Sequence, residues 1–162
     1  MNTSGVSIII PVFNECQSIG RVVDQLKTFY PDAELIVVDD GSTDDTAAVA
    51  RESGAMVIRH PYNIGNGAAV KSGIRRASGD VLVFMDGDGQ HDPGQVGALL
   101  DPMPEYDMVV GARPAKQQAS LGRAMGNQVY NWLASYVAKF PIKDLTSGFR
   151  AVKAEIAKKL LY

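Results

Sequence analysis

The sequence has few of the residues from which redox and metal centres are commonly built. Its 162 residues include one cysteine, Cys16, and two histidines, His60 and His91. A single cysteine excludes an intramolecular disulfide and a cysteine-based zinc site, and it fits a reducing compartment. Neither histidine has a second ligand at metal-binding spacing. We therefore expect both histidines to be polar loop residues.

Long apolar runs and a strong net charge are absent as well. No stretch approaches the ~18 apolar residues that a membrane-spanning helix needs, and the N-terminus lacks the features of a signal peptide. We therefore expect a cytoplasmic protein, or one that lies at the cytoplasmic face of a membrane. Sixteen basic and eighteen acidic residues give a net charge of −2, which argues against nucleic acid as a partner.

What the sequence does contain is an alternation of apolar runs and helical patterns. Apolar runs predict strands at 6–12, 35–38, 56–59, 81–85 and 108–110. Helical spacing predicts helices from residue 19, from a Ser42–Asp45 capping box through Ala50 to near Gly54, and over 67–77, 95–100 and 122–139, with a last helix from after Arg150 to residue 162. This order predicts an α/β fold with a mostly parallel central sheet and helices on both faces.

Four predicted strands end in polar residues: Asn14 and Glu15, Asp39 and Asp40, Asp86 and Asp88, and Arg113. The carboxyl ends of parallel strands meet at one edge of the sheet, and open α/β sheets bind their ligands there. We therefore expect one ligand site that these four strand ends share.

The run Asp86-Gly87-Asp88 is the most informative of these ends. Two carboxylates one residue apart can both reach one hard cation such as Mg²⁺ or Mn²⁺, and the carbonyl of Gln90 can complete the shell. Gly87 lets the backbone pass close to a ligand. The alternative is a plain polar turn, because aspartate and glycine are common turn residues.

Two further segments allow a functional and a structural interpretation. Asp40 can accept hydrogen bonds from a ribose hydroxyl or a base N–H, or it can simply favour the start of a helix. The glycine-rich run 65–72 lacks the glycine before Lys71 that a phosphate-binding loop requires. We expect that run to be a loop and a helix start that pack tightly on the sheet.

Six motifs in this order resemble one enzyme family: IPVFNE (10–15), VVDDGSTD (37–44), HPYNIGNG (60–67), DGDGQHDP (86–93), GAR (111–113) and DLTSGFR (144–150). Together they resemble the family 2 glycosyltransferases with a GT-A fold, and among them the polyprenyl-phosphate sugar transferases typified by dolichol-phosphate mannose synthase. The resemblance covers nearly the whole chain. It implies a Rossmann-like sandwich and one catalytic domain over 1–162, without the C-terminal part that is usual in the family.

The resemblance also implies roles for individual residues. The nucleotide would be bound by Pro11, Phe13, Glu15, Val38, Asp40, Asp86 and Gly87. A divalent metal, Mg²⁺ or Mn²⁺, would be held by Asp86 and Asp88 with help from Gln90. The catalytic residues would be Asp88, Arg113 near the phosphates, and Asp144 on the acceptor side.

The implied activity is metal-dependent transfer of a sugar from a UDP- or GDP-linked donor to a polyprenyl phosphate, with inversion. A lipid phosphate is already anionic and needs no general base, whereas a sugar hydroxyl as acceptor would make Asp144 the base. A nucleotide-sugar-binding core without turnover is a further alternative. A nucleotidyltransferase would carry a glycine-rich basic loop after the first strand, where this chain has Phe13-Asn14-Glu15-Cys16. A phosphoacceptor domain would carry a lysine directly after the last strand, and none follows Val110.

Overall fold

A six-stranded mixed sheet forms the centre of the computed structural model, which describes residues 3–111, 147–159 and 161. The strands are β1 (Val6–Val12), β2 (Glu34–Asp39), β3 (Met56–Arg59), β4 (Val81–Phe84), β5 (Met108–Val110) and β6 (Arg150–Lys153). Their order across the sheet is β3-β2-β1-β4-β6-β5. The strands β1 to β4 pair in parallel, and β6 lies antiparallel between β4 and β5.

Helices cover both faces of the sheet, as the sequence predicts. They are α1 (Ile19–Phe29), α2 (Thr46–Glu52), α3 (Asn66–Arg76), a 3₁₀ turn (Pro93–Gln95) that continues into α4 (Val96–Leu100), and α5 (Ala154–Lys159). In the central strand β1, Ile8 and Ile10 pack in one core with α1 and α4, while Ile9 packs in a second core with α3 and α5. A strand that is buried on both faces explains the continuous apolar run in the sequence.

Two details of the predicted secondary structure are wrong. The helix predicted from Ser42 begins at Thr46, because the Ser42 hydroxyl accepts a hydrogen bond from the backbone N–H of Asn14 (2.9 Å) instead of capping a helix. The last helix, which the sequence predicts directly after Arg150, begins at Ala154, because residues 150–153 form the strand β6. β6 is a strand because it pairs with β4 and β5, which lie far away in the sequence.

The tight packing expected at the glycine-rich run lies further along α3. A Cβ at Gly65 or Gly67 would meet no atom within 4 Å, whereas one at Gly73 would lie 2.3 Å from Cγ2 of Ile9. Gly73 is therefore the glycine that lets α3 approach β1. The helix predicted over 122–139 lies outside the described residues. Within the described part, no helix is long and apolar enough to cross a membrane.

Candidate active-site cleft

A cleft of about 350 Å³ opens at the carboxyl ends of β1, β2 and β4, beside the start of α3. Its lining residues are Pro11, Val12, Phe13, Glu15, Asp40, Asn63, Asn66, Ala69, Asp86, Gly87 and Asp88. The predicted edge of the sheet therefore carries a concave site. It brings together residues that are far apart in the sequence.

Most of the residues predicted from the sequence lie in this cleft, with four exceptions. Val38 is completely buried in the core under α3, so its side chain is not placed to contact a nucleotide in the cleft. Gln90 is exposed and does not line the cleft. Arg113 and Asp144 lie outside the described residues, and their predicted roles stay predictions.

One wall of the cleft is formed by the loops that follow β1 and β2, which are hydrogen-bonded to each other. Asn14 has a positive φ of 57°, and its Oδ1 accepts the backbone N–H of Thr43 (2.9 Å). The backbone N–H of Glu15 donates to the Thr46 hydroxyl (2.8 Å). The hydrogen bond from that hydroxyl is the main cause that lowers the pKa of Asp44 to about 2. These bonds fix the loop that carries Phe13, whose ring is 44% exposed.

Asp40 lies at the cleft but is bonded mainly to the protein itself. Its Oδ1 lies 2.7 Å from Nδ1 of His60 and accepts the backbone N–H of Ile64 (3.1 Å), and its Oδ2 accepts the N–H of Gly65 (2.7 Å). Burial opposes ionisation of this carboxyl group, but the hydrogen bonds from His60, Ile64 and Gly65 outweigh it and lower its pKa. Asp40 therefore shapes the loop before α3, in addition to any contact with a ligand.

Asp86 and Asp88 line the cleft in the turn that follows β4. The side chain of Asp86 is 46% exposed, and Oδ1 of Asp88 accepts the backbone N–H of Gln90 (2.9 Å). The carbonyl of Gly87 accepts a hydrogen bond from the Ser18 hydroxyl (2.7 Å). A Cβ at Gly87 would lie 2.4 Å from Cγ1 of Val12, so glycine is required for packing against β1. From the sequence we expect Gly87 to let the backbone pass close to a ligand, whereas the close contact in the structure is with Val12 of β1.

The donor set in this turn suits a hard divalent cation. Mg²⁺ is usually held by one or two carboxylates together with phosphate oxygens of the substrate, and not by a cage of protein ligands alone. The described residues contain no group of three or more histidine, cysteine, aspartate or glutamate side chains that could hold a metal. Asp86 and Asp88, which line a cleft of this size, match a site in which two carboxylates and the phosphate oxygens of the substrate hold the metal together.

The sequence did not predict four of the lining residues, Val12, Asn63, Asn66 and Ala69, or the contacts that the two histidines make. Asn63 and Asn66 lie inside the motif at 60–67, so their position in that motif was an available signal. His60 is in a loop as expected, but it is buried, and its Nε2 lies 2.9 Å from the Ser72 hydroxyl. His91 lies beside Asp86, with Nε2 3.5 Å from Oδ2.

The sequence profile of Glycosyl transferase family 2 matches residues 7–161. The chain belongs to this family. The match includes every strand of the sheet except the first residue of β1. It agrees with a GT-A fold in which a mostly parallel sheet carries the site at its carboxyl edge.

Relatives in the family include enzymes named for polyprenyl phosphates. The dodecaprenyl-phosphate galacturonate synthase of Rhizobium johnstonii is 32% identical over 96% of this chain and 49% of its own length. The undecaprenyl-phosphate mannosyltransferase of Micrococcus luteus is 29% identical over 96% of this chain and 69% of its own length. The chain thus spans between about half and two thirds of these relatives.

Solved structures of a structural neighbour contain nucleotide and metal. Glucosyl-3-phosphoglycerate synthase of Mycobacterium tuberculosis, in complex with Mn²⁺ and UDP-glucose, is 27% identical, with a TM-score of 0.73 over 93% of this chain and 56% of that one. Another structure of the same enzyme holds Mn²⁺, UDP and phosphoglyceric acid, with a TM-score of 0.74 at 27% identity over the same shares of the two chains.

Proposed function

We propose that this chain transfers a sugar from a nucleotide-diphosphate sugar to a polyprenyl phosphate, with inversion and with Mg²⁺ or Mn²⁺. The observation that carries the proposal is that one cleft is lined by Asp86 and Asp88, which follow β4, and by Phe13 and Asp40, which follow β1 and β2. The strand order places Asp40 and the acidic pair on opposite sides of β1. A nucleotide diphosphate likewise has a flat base with a ribose at one end and a charged diphosphate at the other. The names of the relatives support the polyprenyl phosphate as acceptor.

The nucleoside would bind at the end of the cleft formed by the loops after β1 and β2. The exposed ring of Phe13 offers a face for base stacking, beside Pro11 and Glu15. Asp40 accepts one hydrogen bond at Oδ2, and a carboxylate oxygen can accept a second from a ribose hydroxyl. Uracil and guanine remain the two base candidates.

The diphosphate would lie at the acidic end of the cleft. Asp86 and Asp88 would hold Mg²⁺ or Mn²⁺ there. When bound, this metal would neutralise the charge that the leaving nucleoside diphosphate gains. Arg113 would add a charge-assisted hydrogen bond to a phosphate. The described residues position the carboxylates through the bonds that hold the turn after β4.

The acceptor oxygen of a lipid phosphate is already anionic near neutral pH, so the reaction needs orientation of that oxygen and not its deprotonation. In the described part of the chain both histidines are engaged, His60 with Asp40 and Ser72, and His91 with Asp86. A sugar hydroxyl as acceptor would instead make Asp144 the base. The bond to the sugar carbon would break through an oxocarbenium-like centre that the acceptor attacks from the opposite side.

Polyprenyl phosphates reside in membranes, so the chain would act at a membrane surface, on the cytoplasmic face where nucleotide sugars are present. The net charge of −2 gives no support to an alternative partner such as nucleic acid.

A transfer assay tests the proposal. Purified protein is incubated with Mn²⁺ and radiolabelled UDP- or GDP-sugars, with undecaprenyl phosphate or phosphoglyceric acid as acceptor. Lipid-linked product with inverted configuration supports the proposal, and retained configuration contradicts the mechanism. Transfer to phosphoglyceric acid alone would contradict the lipid acceptor. Metal-dependent nucleotide binding without any transfer would favour the binding-core alternative.

A further inference from the structure

The turn that leads into β6 lies directly against the carboxylate of Asp86. A Cβ at Gly148 would lie 2.8 Å from Oδ2, 2.9 Å from Oδ1 and 3.1 Å from Cγ of Asp86. These distances are too short for a methyl group, so the bare α-carbon of Gly148 forms one side of the space that the carboxylate occupies.

His91 approaches the same carboxylate. Its Nε2 lies 3.5 Å from Oδ2 of Asp86, and its side chain is 14% exposed. The imidazole stacks on the ring of Phe149, with centroids 5.2 Å apart and an angle of 18° between the planes. Phe149 is buried, so the stack fixes the orientation of the imidazole toward Asp86.

The turn itself is held in place from the neighbouring strand. The Ser147 hydroxyl donates to the carbonyl of Gly111 (2.6 Å), and the N–H of Gly111 donates to the carbonyl of Phe149 (2.9 Å). A Cβ at Gly111 would lie 2.6 Å from Cδ1 of Phe149, which shows how closely the two segments pack. The turn therefore cannot retreat from Asp86 without breaking these contacts.

We propose that Gly148 and His91 are positioning residues for Asp86, and that they hold its carboxylate in the orientation that receives the divalent cation and the donor diphosphate. This inference rests on the proposed function above. Groups that orient a metal ligand without touching the metal are worth about 10–100-fold in metal affinity or activity when they are removed. The motif at 144–150 includes Gly148, but the sequence alone does not predict that Gly148 lies against Asp86.

The variant Gly148→Ala separates positioning from stability. The atoms nearest to the new methyl group would be the end of a half-exposed aspartate side chain and not backbone, so we expect the side chain to turn and the fold to be kept. We expect a thermal unfolding midpoint close to that of the wild type. The affinity for Mn²⁺ in the presence of UDP, measured by electron paramagnetic resonance, should fall about tenfold or more.

A second pair of variants tests His91. His91→Phe keeps a ring that can stack on Phe149 but has no nitrogen to face Asp86, and we expect a loss of Mn²⁺ affinity of about tenfold. His91→Gln returns an amide N–H donor, and it should recover part of that loss. A purely structural role would not produce recovery by an amide. For Gly148→Ala the matched control is Gly67→Ala, the same substitution at a position where the new Cβ meets no atom within 4 Å.

The results distinguish the inference from the function on which it rests. Lower Mn²⁺ affinity in Gly148→Ala and His91→Phe, with normal stability and an unchanged control, supports the positioning role. Wild-type affinity in His91→Phe would overturn the role of His91, and wild-type affinity in a folded Gly148→Ala would overturn that of Gly148. If Gly148→Ala does not fold, the expectation that the Asp86 side chain turns away from the new methyl group is contradicted, and the role of Gly148 is overturned. No Mn²⁺-dependent UDP binding by the wild type would overturn the proposed function and this inference together.

Discussion

The Nδ1 atom of His60 lies 2.7 Å from Oδ1 of Asp40, and both side chains are buried. On the other side of the imidazole, Nε2 lies 2.9 Å from the hydroxyl of Ser72 in α3. Asp40 follows β2 directly, so this chain of contacts joins the end of β2 to α3. It fixes the loop between β3 and α3, which contributes Asn63 to the wall of the cleft.

We predict that Asp40→Asn lowers the free energy of unfolding by about 2 kcal/mol at neutral pH, since hydrogen bonds to a buried charged group are worth about 1.5–3 kcal/mol. The asparagine amide would turn an N–H donor toward a neighbouring donor, either His60 or the backbone N–H of Gly65. Urea denaturation measures the change. Asp92→Asn is the control, because Asp92 is exposed and accepts one backbone N–H, from Gly94. A change of less than about 0.5 kcal/mol, as expected for that control, would contradict the role of Asp40.

The same pair of proteins should show a defined dependence on pH. The pKa of Asp40 is lowered in the folded state relative to its ordinary value of 3.8. The stability that its ionised form contributes is therefore fully present above that value and is lost as the pH falls through the lowered pKa. We expect the difference between wild type and Asp40→Asn to shrink as the pH falls below 3.8 and Asp40 becomes protonated. A difference that grows under acid would show that the ionised carboxylate is not the stabilising form.

Packing of α3 on β1 gives a prediction that is independent of the ligand. Gly73→Ala would place a methyl group 2.3 Å from Cγ2 of Ile9 in the core. Overpacking of this kind costs about 1–3 kcal/mol. Thermal unfolding should show a lower midpoint, whereas Gly67→Ala, in the same helix, should be neutral or slightly stabilising because alanine favours helices. Equal midpoints for the two variants would mean that α3 does not approach β1 as the structure shows.

Much of the fold could be predicted because its signals are local. Strands such as β1 and β3 appear as apolar runs, and the buried residues of α1, Ile19, Val22, Val23 and Leu26, recur at helical spacing. The strand β6 could not be predicted in this way, because its four residues precede a helix-forming segment and become a strand only by pairing with β4 and β5. The helix cap predicted at Ser42 is wrong for a similar reason, because the Ser42 hydroxyl accepts a hydrogen bond from the backbone N–H of Asn14.

The site was predictable to the extent that residues stand at the ends of strands. Asp86 and Asp88 could be assigned to one edge because parallel strands share a carboxyl edge. The contacts of Asp86 with Gly148 and His91 could not, since they depend on where the antiparallel β6 places its preceding turn. Val38 was assigned to the cleft by its motif, but it lies one residue before the strand end, with its side chain in the core.

The most direct test asks whether Asp88 holds a metal through which the nucleotide binds. Binding of UDP and GDP is measured by calorimetric titration with and without Mn²⁺, on the wild type, on Asp88→Ala and on the control Asp92→Asn. Asp88 is exposed, so the substitution should leave stability within about 0.5 kcal/mol of the wild type. We expect one of the two nucleotides to bind in a Mn²⁺-dependent manner, the control to bind equally well, and Asp88→Ala to lose the Mn²⁺-dependent part. Nucleotide binding that ignores Mn²⁺, or that is the same in Asp88→Ala as in the wild type, would contradict this expectation.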